Sequence, residues 1–498
     1  MPLSVHHLKT RKVLVVSEAE ERLRQGKLFR QGLIGESELL AAADLITRVQ
    51  VEKFETIRIV FADPHGILRG KTIVAEALVS AFCDGMRVPS TLLLKDTSHR
   101  TAFPVWSEQG DAPMQGASDV VLVPVASTFR ALPWSTHSAL LHCSVALPTG
   151  EPVHLSSRHV LAQAVRQMES AGLAALMGLE VEFQVYSVIN PSLEHSDTSM
   201  PALPPQTRAL TQGYQYLTET RYGEVESLLD QLRRFAQAMA MPVRSVEIEM
   251  GPSQFEFTFA PADPMSIADM AVTFRTLVKE VCHRQGLHAT FMAKPRLPNA
   301  AANGWHIHQS IQDADSGRNL FAADEPGVMS PTARHWIAGL LEHAAASCLL
   351  TAPTVNSYKR FTSYQLAPTR IGWGTDNRGA MVRALLDEND HACRIENRVA
   401  DSSANPYFAL ASQLTAGMDG MERQLEAPSP LSSPYDNDAP MIPGDLQSAI
   451  DAFAASTHYR DRIGTDFVDY LTVLKRAEWN RYIGSVSEWE QAEYFSAF

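Results

Sequence analysis

The sequence predicts an α+β protein, with a helical extension over residues 1–50, a small β-rich domain over 51–145 and a larger mixed domain over 150–498. Three observations carry that reading. The texture changes near residue 51 from helix-forming runs to a hairpin pattern. Strand and helix patterns then alternate from about residue 156 to the end. The strands of this second half repeatedly gather charged residues on one face, which suits a curved sheet with a charged concave side.

A chain of 498 residues can build two or more domains, each with ample core. Its 45% hydrophobic and 20% charged residues are those of a soluble globular protein. No apolar run approaches the roughly 20 residues of a membrane span. The opening residues, MPLSVHHLKTRK, lack an apolar secretion core, so no signal peptide is expected. Cys83, Cys143, Cys282, Cys348 and Cys393 are scattered, with no CxxC pair, which suits thiols in a reducing cytoplasm. The net charge of −13 argues against a broad nucleic-acid footprint and leaves room for a local anion pocket.

Residues 17–50 form helix-rich runs with a break near Gly35. TIRIVFADPHGILRGKTI (56–73) is a β-run, an Asp-Pro-His-Gly turn and a second β-run. SDVVLVPVASTFRALPW (118–134) is strand-like with proline breaks. Next come a helix capped by Ser156 or Ser157 and a strand, GLEVEFQVY. Residues 190–208 read as a loop. Val225, Leu228, Leu229, Leu232 and Phe235 form one helical stripe. A proline-rich surface loop at 427–444 precedes two closing helices.

The polar strand faces carry the chemistry. Glu180 and Glu182 alternate on one face of GLEVEFQVY. Glu247 and Glu249 share a face, followed by Gln254, Glu256 and Thr258, while Phe255, Phe257 and Phe259 fill the opposite side. His306 and His308 pair in NGWHIHQS, as do Arg394, Glu396 and Arg398 in CRIENRV. A lone Glu-x-Glu is an ordinary solvated edge, but the repetition points to a polar cavity. Carboxylates with an occasional imidazole suit Mg²⁺ or Mn²⁺. Arginines opposite them suit phosphates and carboxylates. The combination suggests metal–nucleotide chemistry, with a salt-bridge lattice as the alternative.

These motifs occur in a fixed order: DPHGILRGK, SDVVLVP, GLEVEFQVY, EMGPSQFEFTF, ATFMAKP, NGWHIHQSI, NSYKRF, WGTDNRGAMVR and RIENRVADSSANPYFALA. In that order the chain resembles the glutamine synthetase family over nearly its whole length after residue 50. The resemblance implies an N-terminal β-grasp domain and a catalytic domain built on a curved antiparallel sheet flanked by helices. It also implies a homo-oligomer, usually a dodecamer of two stacked hexamers with active sites between subunits.

For the site, the resemblance implies ATP and two or three Mg²⁺ or Mn²⁺ ions. Glu182, Glu249 and Glu256 match the carboxylates of one metal, and Glu180, His306 and Glu396 the ligands of a second. His308, Ser310, Arg383 and Arg394 match nucleotide and phosphate contacts. Arg360 and Arg398, with Glu182 and Gly304, match the glutamate site, and Arg378 the arginine of phosphoryl transfer. Lys359 is expected at the rim. The implied reaction activates the γ-carboxylate of glutamate as γ-glutamyl phosphate, which an amine then attacks, with metals and arginines offsetting the moving charge.

The amine side departs from the family pattern. Gln365 stands where glutamine synthetases carry a flap acid, and glutamine cannot act as a base near pH 7. Asp96 lies in PSTLLLKDTSH, without the family's ammonium-site motif. Ala301 and Ala302 precede NGWHIH where an Asn-Gly pair is usual, and Ser253 replaces a glycine. Alkylamines and ammonia are mostly protonated near neutral pH and need a base before attack, whereas anilines are mostly neutral and need less help. The expected function is therefore a cytoplasmic, ATP-dependent ligase of glutamate and an organic amine, an arylamine in particular. An ammonia-using glutamine synthetase, a polyamine or alkylamine ligase and a silent scaffold or sensor are the alternatives. A His-x-His metal amidohydrolase would need further histidines and no ATP.

Overall fold

A computed structural model describes residues 15–106, 114–323, 325, 328–363, 365–385 and 392–498. Residues 1–14 of the expected extension lie outside this set. The chain divides into two compact units. The first takes residues up to 61, with 69–89 and 118–153; the second takes 62–68, 90–117 and 154–498.

In the first unit, helices α1 (Val16–Arg24), α2 (Lys27–Arg30) and α3 (Glu36–Val51) break at Gly26 as well as at Gly35. A Cβ at Gly26 would lie 2.7 Å from the Cα of Cys83, so the close approach requires glycine. The extension is integral to its unit: Leu28 and Ile34 share a buried cluster with Val121, Val123 and Ala146. The small sheet holds β1 (Thr56–Ala62), β2 (Leu68–Val74), β3 (Met86–Pro89), β4 (Asp119–Pro124), β5 (Arg130–Ala131) and β6 (Ser138–Ala146). Its order is β2-β1-β6-β4-β3, with β5 on β6. Strands β1 and β6 run parallel, whereas β4 and β6 run antiparallel. A short helix, α4 (Leu78–Asp84), joins β2 to β3. The expected hairpin is β1–β2, and Asp63 Oδ1 ties its turn by accepting the N–H groups of His65 and Ile67.

The second unit is built on a nine-stranded sheet. Its strands are β7 (Leu173–Val188), β8 (Thr207–Ala209), β9 (Val243–Ile248), β10 (Gln254–Phe259), β11 (Leu287–Thr290), β12 (Trp305–Asp313), β13 (Trp373–Thr375), β14 (Val382–Leu385) and β15 (Arg394–Asn397). The order is β13-β14-β15-β12-β7-β10-β9, with β8 and β11 also on β7, and all pairs except β13–β14 are antiparallel. The helices are α5 (Ser157–Ser170), α6 (Glu219–Ala238), α7 (Pro264–Arg284), α8 (Pro331–Glu342), α9 (Ala344–Thr351), α10 (Pro406–Glu422), α11 (Leu446–Ala454), α12 (Thr457–Arg462), α13 (Thr465–Ile483) and α14 (Glu488–Tyr494).

Aromatic packing decides which sheet face is free. Phe183, Phe257 and Phe259 pack around Phe274 of α7, with centroids 5.0 to 5.9 Å apart. Burying these rings stabilises the sheet by roughly 2–3 kcal/mol each. Side-chain alternation then turns the acids of β7 and β10 to the other face.

Three local expectations need correction. Ser156 occupies the N-cap of α5, but its hydroxyl makes no hydrogen bond; Ser157 Oγ donates to the Asp63 carbonyl instead. On α6 the buried stripe ends on Ala236, and Phe235 is only half-buried, because the large ring lies at the stripe's edge. Four helices, α11 to α14, follow the proline-rich loop, because Gly464 and the Ser456 cap divide what reads as fewer periodic runs. None of the five cysteines forms a disulfide. Among the described residues, no helix is long and apolar enough to cross a membrane.

Candidate active site

Strand register assembles the polar faces. Glu256 of β10 lies opposite Glu182 of β7 on one side and Glu247 of β9 on the other. Across the next seam, His306 of β12 pairs with Glu180, while His308 pairs with Glu396 of β15, which pairs in turn with Arg383 of β14. Residues far apart in sequence thus become a lattice only about 5 Å between neighbours.

The lattice opens into a cavity of about 560 Å³, within the range that holds small-molecule ligands. Glu180, Glu182, Glu249, Glu256 and His306 line one side, and Arg360, Arg378, Arg383 and Arg398 line another. Gln365 is exposed at the wall. His308, Glu396 and Gly304 lie adjacent to this lining through ion pairs or close packing. Ser310 lies one alternation further along β12 than His308, outside the lining, and Arg394 touches the site through His308, donating from Nε to Nδ1 at 3.2 Å. Lys359 is exposed and does not line the cavity.

The carboxylates divide electrostatically. Burial, then the Glu182 charge, pushes Glu249 up to about 8. Burial and the neighbouring glutamates, Glu182 first, raise Glu256 well above the carboxylate range. Glu180 is held low: burial opposes its ionisation, but the imidazoles of His306 and His308 outweigh it. Glu396, fully buried, is likewise pulled down to about 2 against its burial by His306, Arg398 and His308. Arg383 Nη1 donates to Glu396 Oε2 at 2.9 Å, and Arg398 pairs with the other oxygen.

These residues fit hard divalent cations. Ligand atoms of Glu182, Glu249 and Glu256 all lie within 4.8 Å of one another, as do those of Glu180, Glu256 and His306, and of Glu180, His308 and Glu396. His308 Nε2 is 2.9 Å from Glu180 Oε1, yet this buried nitrogen has no aligned hydrogen bond. The two raised carboxyls are those a cation would neutralise. A further His343–Asp419–His458 group lies elsewhere, where Arg423 Nη1 already pairs with Asp419 at 2.8 Å.

Several supports carry little sequence signal. Gln254 Nε2 reaches Ala302 O at 2.8 Å and Asn303 Oδ1 at 2.9 Å, fixing the segment before β12. Ser402 Oγ donates to the carbonyls of Glu182 and Gly304. Arg360, 5% exposed, donates to Val399 O and Arg398 O, so much of its fork holds backbone. Ser253 takes a positive φ of 58°, and its Oγ accepts the N–H groups of Leu210 and Thr211. Tyr214, Met250 and Lys294 also line the cavity. Asp96 is spoken for elsewhere: it accepts from Ser98 N and Arg100 N and pairs with Arg481.

Comparison with known proteins identifies the family. Residues 154–494 match the family described as glutamine synthetase, catalytic domain. The chain is 34% identical to a gamma-glutamylanilide synthase of Acinetobacter sp, covering 92% of this chain and 96% of that one. It is 30% identical to a glutamine synthetase of Methanosarcina mazei, covering 91% and 97%. A solved structure titled GmaS/ADP complex superposes with a TM-score of 0.77 at 26% identity, covering 91% and 99%. The ordered motifs, the acidic sheet face and these likenesses converge: the chain belongs to the glutamine synthetase family.

Proposed function

We propose that this ATP-dependent glutamate–amine ligase takes an arylamine as its amine. The observation that carries the reading is Gln365, a neutral amide on the cavity wall where an acid would serve to deprotonate ammonium. Leu366, Tyr214 and Met250, 56%, 58% and 40% exposed, line the same cavity, as do Ala301 and Ala302, and they offer it an apolar surface. An arylamine arrives largely as its free base and brings a ring to cover that surface. The relative that makes γ-glutamylanilide supports the same choice.

Glu182, Glu249 and Glu256 would hold one Mg²⁺ or Mn²⁺, and Glu180, His306 and Glu396 another, with His306 Nδ1 3.2 Å from Glu180 and 3.6 Å from Glu396. Bound ATP supplies the phosphoryl group, and the cations neutralise its oxygens. Arg360 and Arg398, beside Gly304, orient the glutamate carboxylates. Arg378 offsets the charge that develops as the γ-carboxylate is phosphorylated. His308, Ser310, Arg383 and Arg394 hold the nucleotide's phosphates. The amide oxygen of Gln365 accepts a hydrogen bond from the arriving amine and orients it without removing a proton. The working form is a cytoplasmic dodecamer of two stacked hexamers, with sites between subunits.

The test is phosphate release with glutamate, ATP and a panel of aniline, isopropylamine, putrescine and ammonium. Aniline is expected to give the highest kcat/KM. Release with ammonium equal to that with aniline would overturn the reading, and no amine stimulating release would point to a silent paralogue.

A further inference from the structure

A second cavity, of about 320 Å³, lies in the larger unit between α7, β11, α9 and the 62–68 loop. It shares no lining residue with the acidic cavity, and its charge is opposite. Arg275, Lys279 and Lys475 line it, and no aspartate or glutamate does. Val272, Phe291, Leu350, Phe408 and Leu471 form its apolar walls.

Two of the three cations have no carboxylate partner. Arg275 spends three N–H donors on backbone carbonyls, donating to Ser402 O at 3.2 Å, Ala404 O at 3.0 Å and Gly66 O at 3.2 Å. A guanidinium has five, so two remain. Burial lowers Arg275 to about 10, even though Asp63 and Asp401 attract it from a distance. Lys279 is exposed and has no ion pair among the described residues, and partial desolvation followed by the Arg275 charge lowers it too. Only Lys475 is matched, by Glu478 at 3.2 Å. Arg275 is half-buried and Lys279 exposed, and two like charges four residues apart on one helix repel each other unless an anion joins them.

We propose that this cavity is a binding site for a small organic carboxylate with an apolar body, its carboxylate toward Arg275 and Lys279 and its body against Phe291 and Leu350. The volume stands at the small end of ligand pockets, which suits a single ring and not a nucleotide. An amino acid is a poorer fit, because its ammonium would face the same cations. The Arg275 that walls the cavity holds the carbonyl of Ser402, whose hydroxyl bonds to Glu182 and Gly304 in the substrate cavity.

The experiment is isothermal titration of the full-length protein with benzoate and with its neutral counterpart benzamide. Wild type, Lys279→Gln and Arg398→Gln are compared. Benzoate is expected to bind saturably at one site per chain, benzamide at least tenfold more weakly. Lys279→Gln is expected to weaken benzoate about tenfold, the loss of one charge-assisted contact, and Arg398→Gln to leave it unchanged. No saturable binding, equal binding of benzamide, or binding indifferent to Lys279→Gln each overturns the proposal. Loss confined to Arg398→Gln does so as well, by assigning benzoate to the glutamate cavity.

Discussion

Glu182 and Glu256 stand directly opposite each other on adjacent antiparallel strands, with Glu249 close enough to share a cation with both. Glu249, at about 8, therefore holds its proton at pH 7 in the metal-free protein, and Glu256 is raised well above the carboxylate range by the same burial and neighbouring glutamates. A divalent cation must expel the proton of Glu249. Titration with Mg²⁺ at pH 7 in buffers of differing ionisation enthalpy should show release of about one proton or more per chain, declining toward zero above pH 9. No buffer dependence would show that these carboxyls are not the ligands.

The same shift sets the pH dependence of stability. A folded-state pKa above the usual 4.5 favours the fold while the carboxyl is protonated. That contribution is complete below about 4.5 and is lost as pH rises through 8. The metal-free protein should lose Tm between about pH 5 and pH 9, saturating Mg²⁺ should remove the slope, and Glu256→Gln should reduce it without metal. Calorimetry across that range checks all three.

Gln365→Glu places a carboxylate on the amine side of the cavity. It should raise kcat/KM for ammonium roughly tenfold or more, as a positioned base does, and lower that for aniline. Steady-state phosphate release with each amine reads both changes. An unchanged ratio would show that residue 365 does not set amine choice.

Ser253 sits in the left-handed region, and its hydroxyl serves two backbone N–H groups at the start of the segment leading to Tyr214. Ser253→Ala keeps the backbone strain and orphans one buried donor, Thr211 N–H, and one partly buried, Leu210 N–H, a cost of about 2 kcal/mol. Ser253→Gly orphans them too but relieves the strain, a loss about 1 kcal/mol smaller. Tm should therefore fall further for alanine than for glycine. Both should raise KM for the amine more than for glutamate, because the wall that slackens carries Tyr214.

What the sequence shows of this molecule follows from how local each feature is. Alternation places Glu180 with Glu182 and His306 with His308, because a strand fixes its own faces. Register does not follow from alternation: that Glu256 meets Glu182 and not Glu180 depends on how β10 slides along β7. Arg360 looks like a free clamp in NSYKRF, and only tertiary structure shows its guanidinium engaged with Val399 and Arg398 carbonyls. Ser402 is one serine among several in VADSSANPY, and its bonds to Glu182 and Gly304 carry no pattern. The helical extension reads as an appendage because the contacts of Leu28 and Ile34 with Val121 and Val123 span about ninety residues of chain.

Gly304 is the sharpest steric test of the proposed glutamate site. A Cβ there would lie 2.8 Å from Arg360 Nη2, 3.1 Å from Glu182 Oε1 and 3.1 Å from His306 Nε2. All three are side-chain tips, so Gly304→Ala has room to fold by displacing them. Displacement is what the site cannot tolerate, because a shift of about 1 Å in positioning groups costs on the order of a hundredfold in rate. Gly304→Ala should keep its far-UV circular dichroism and lose only a few degrees of Tm, while kcat/KM for glutamate falls about a hundredfold. Near wild-type turnover would place the glutamate carboxylates away from Arg360 and Gly304.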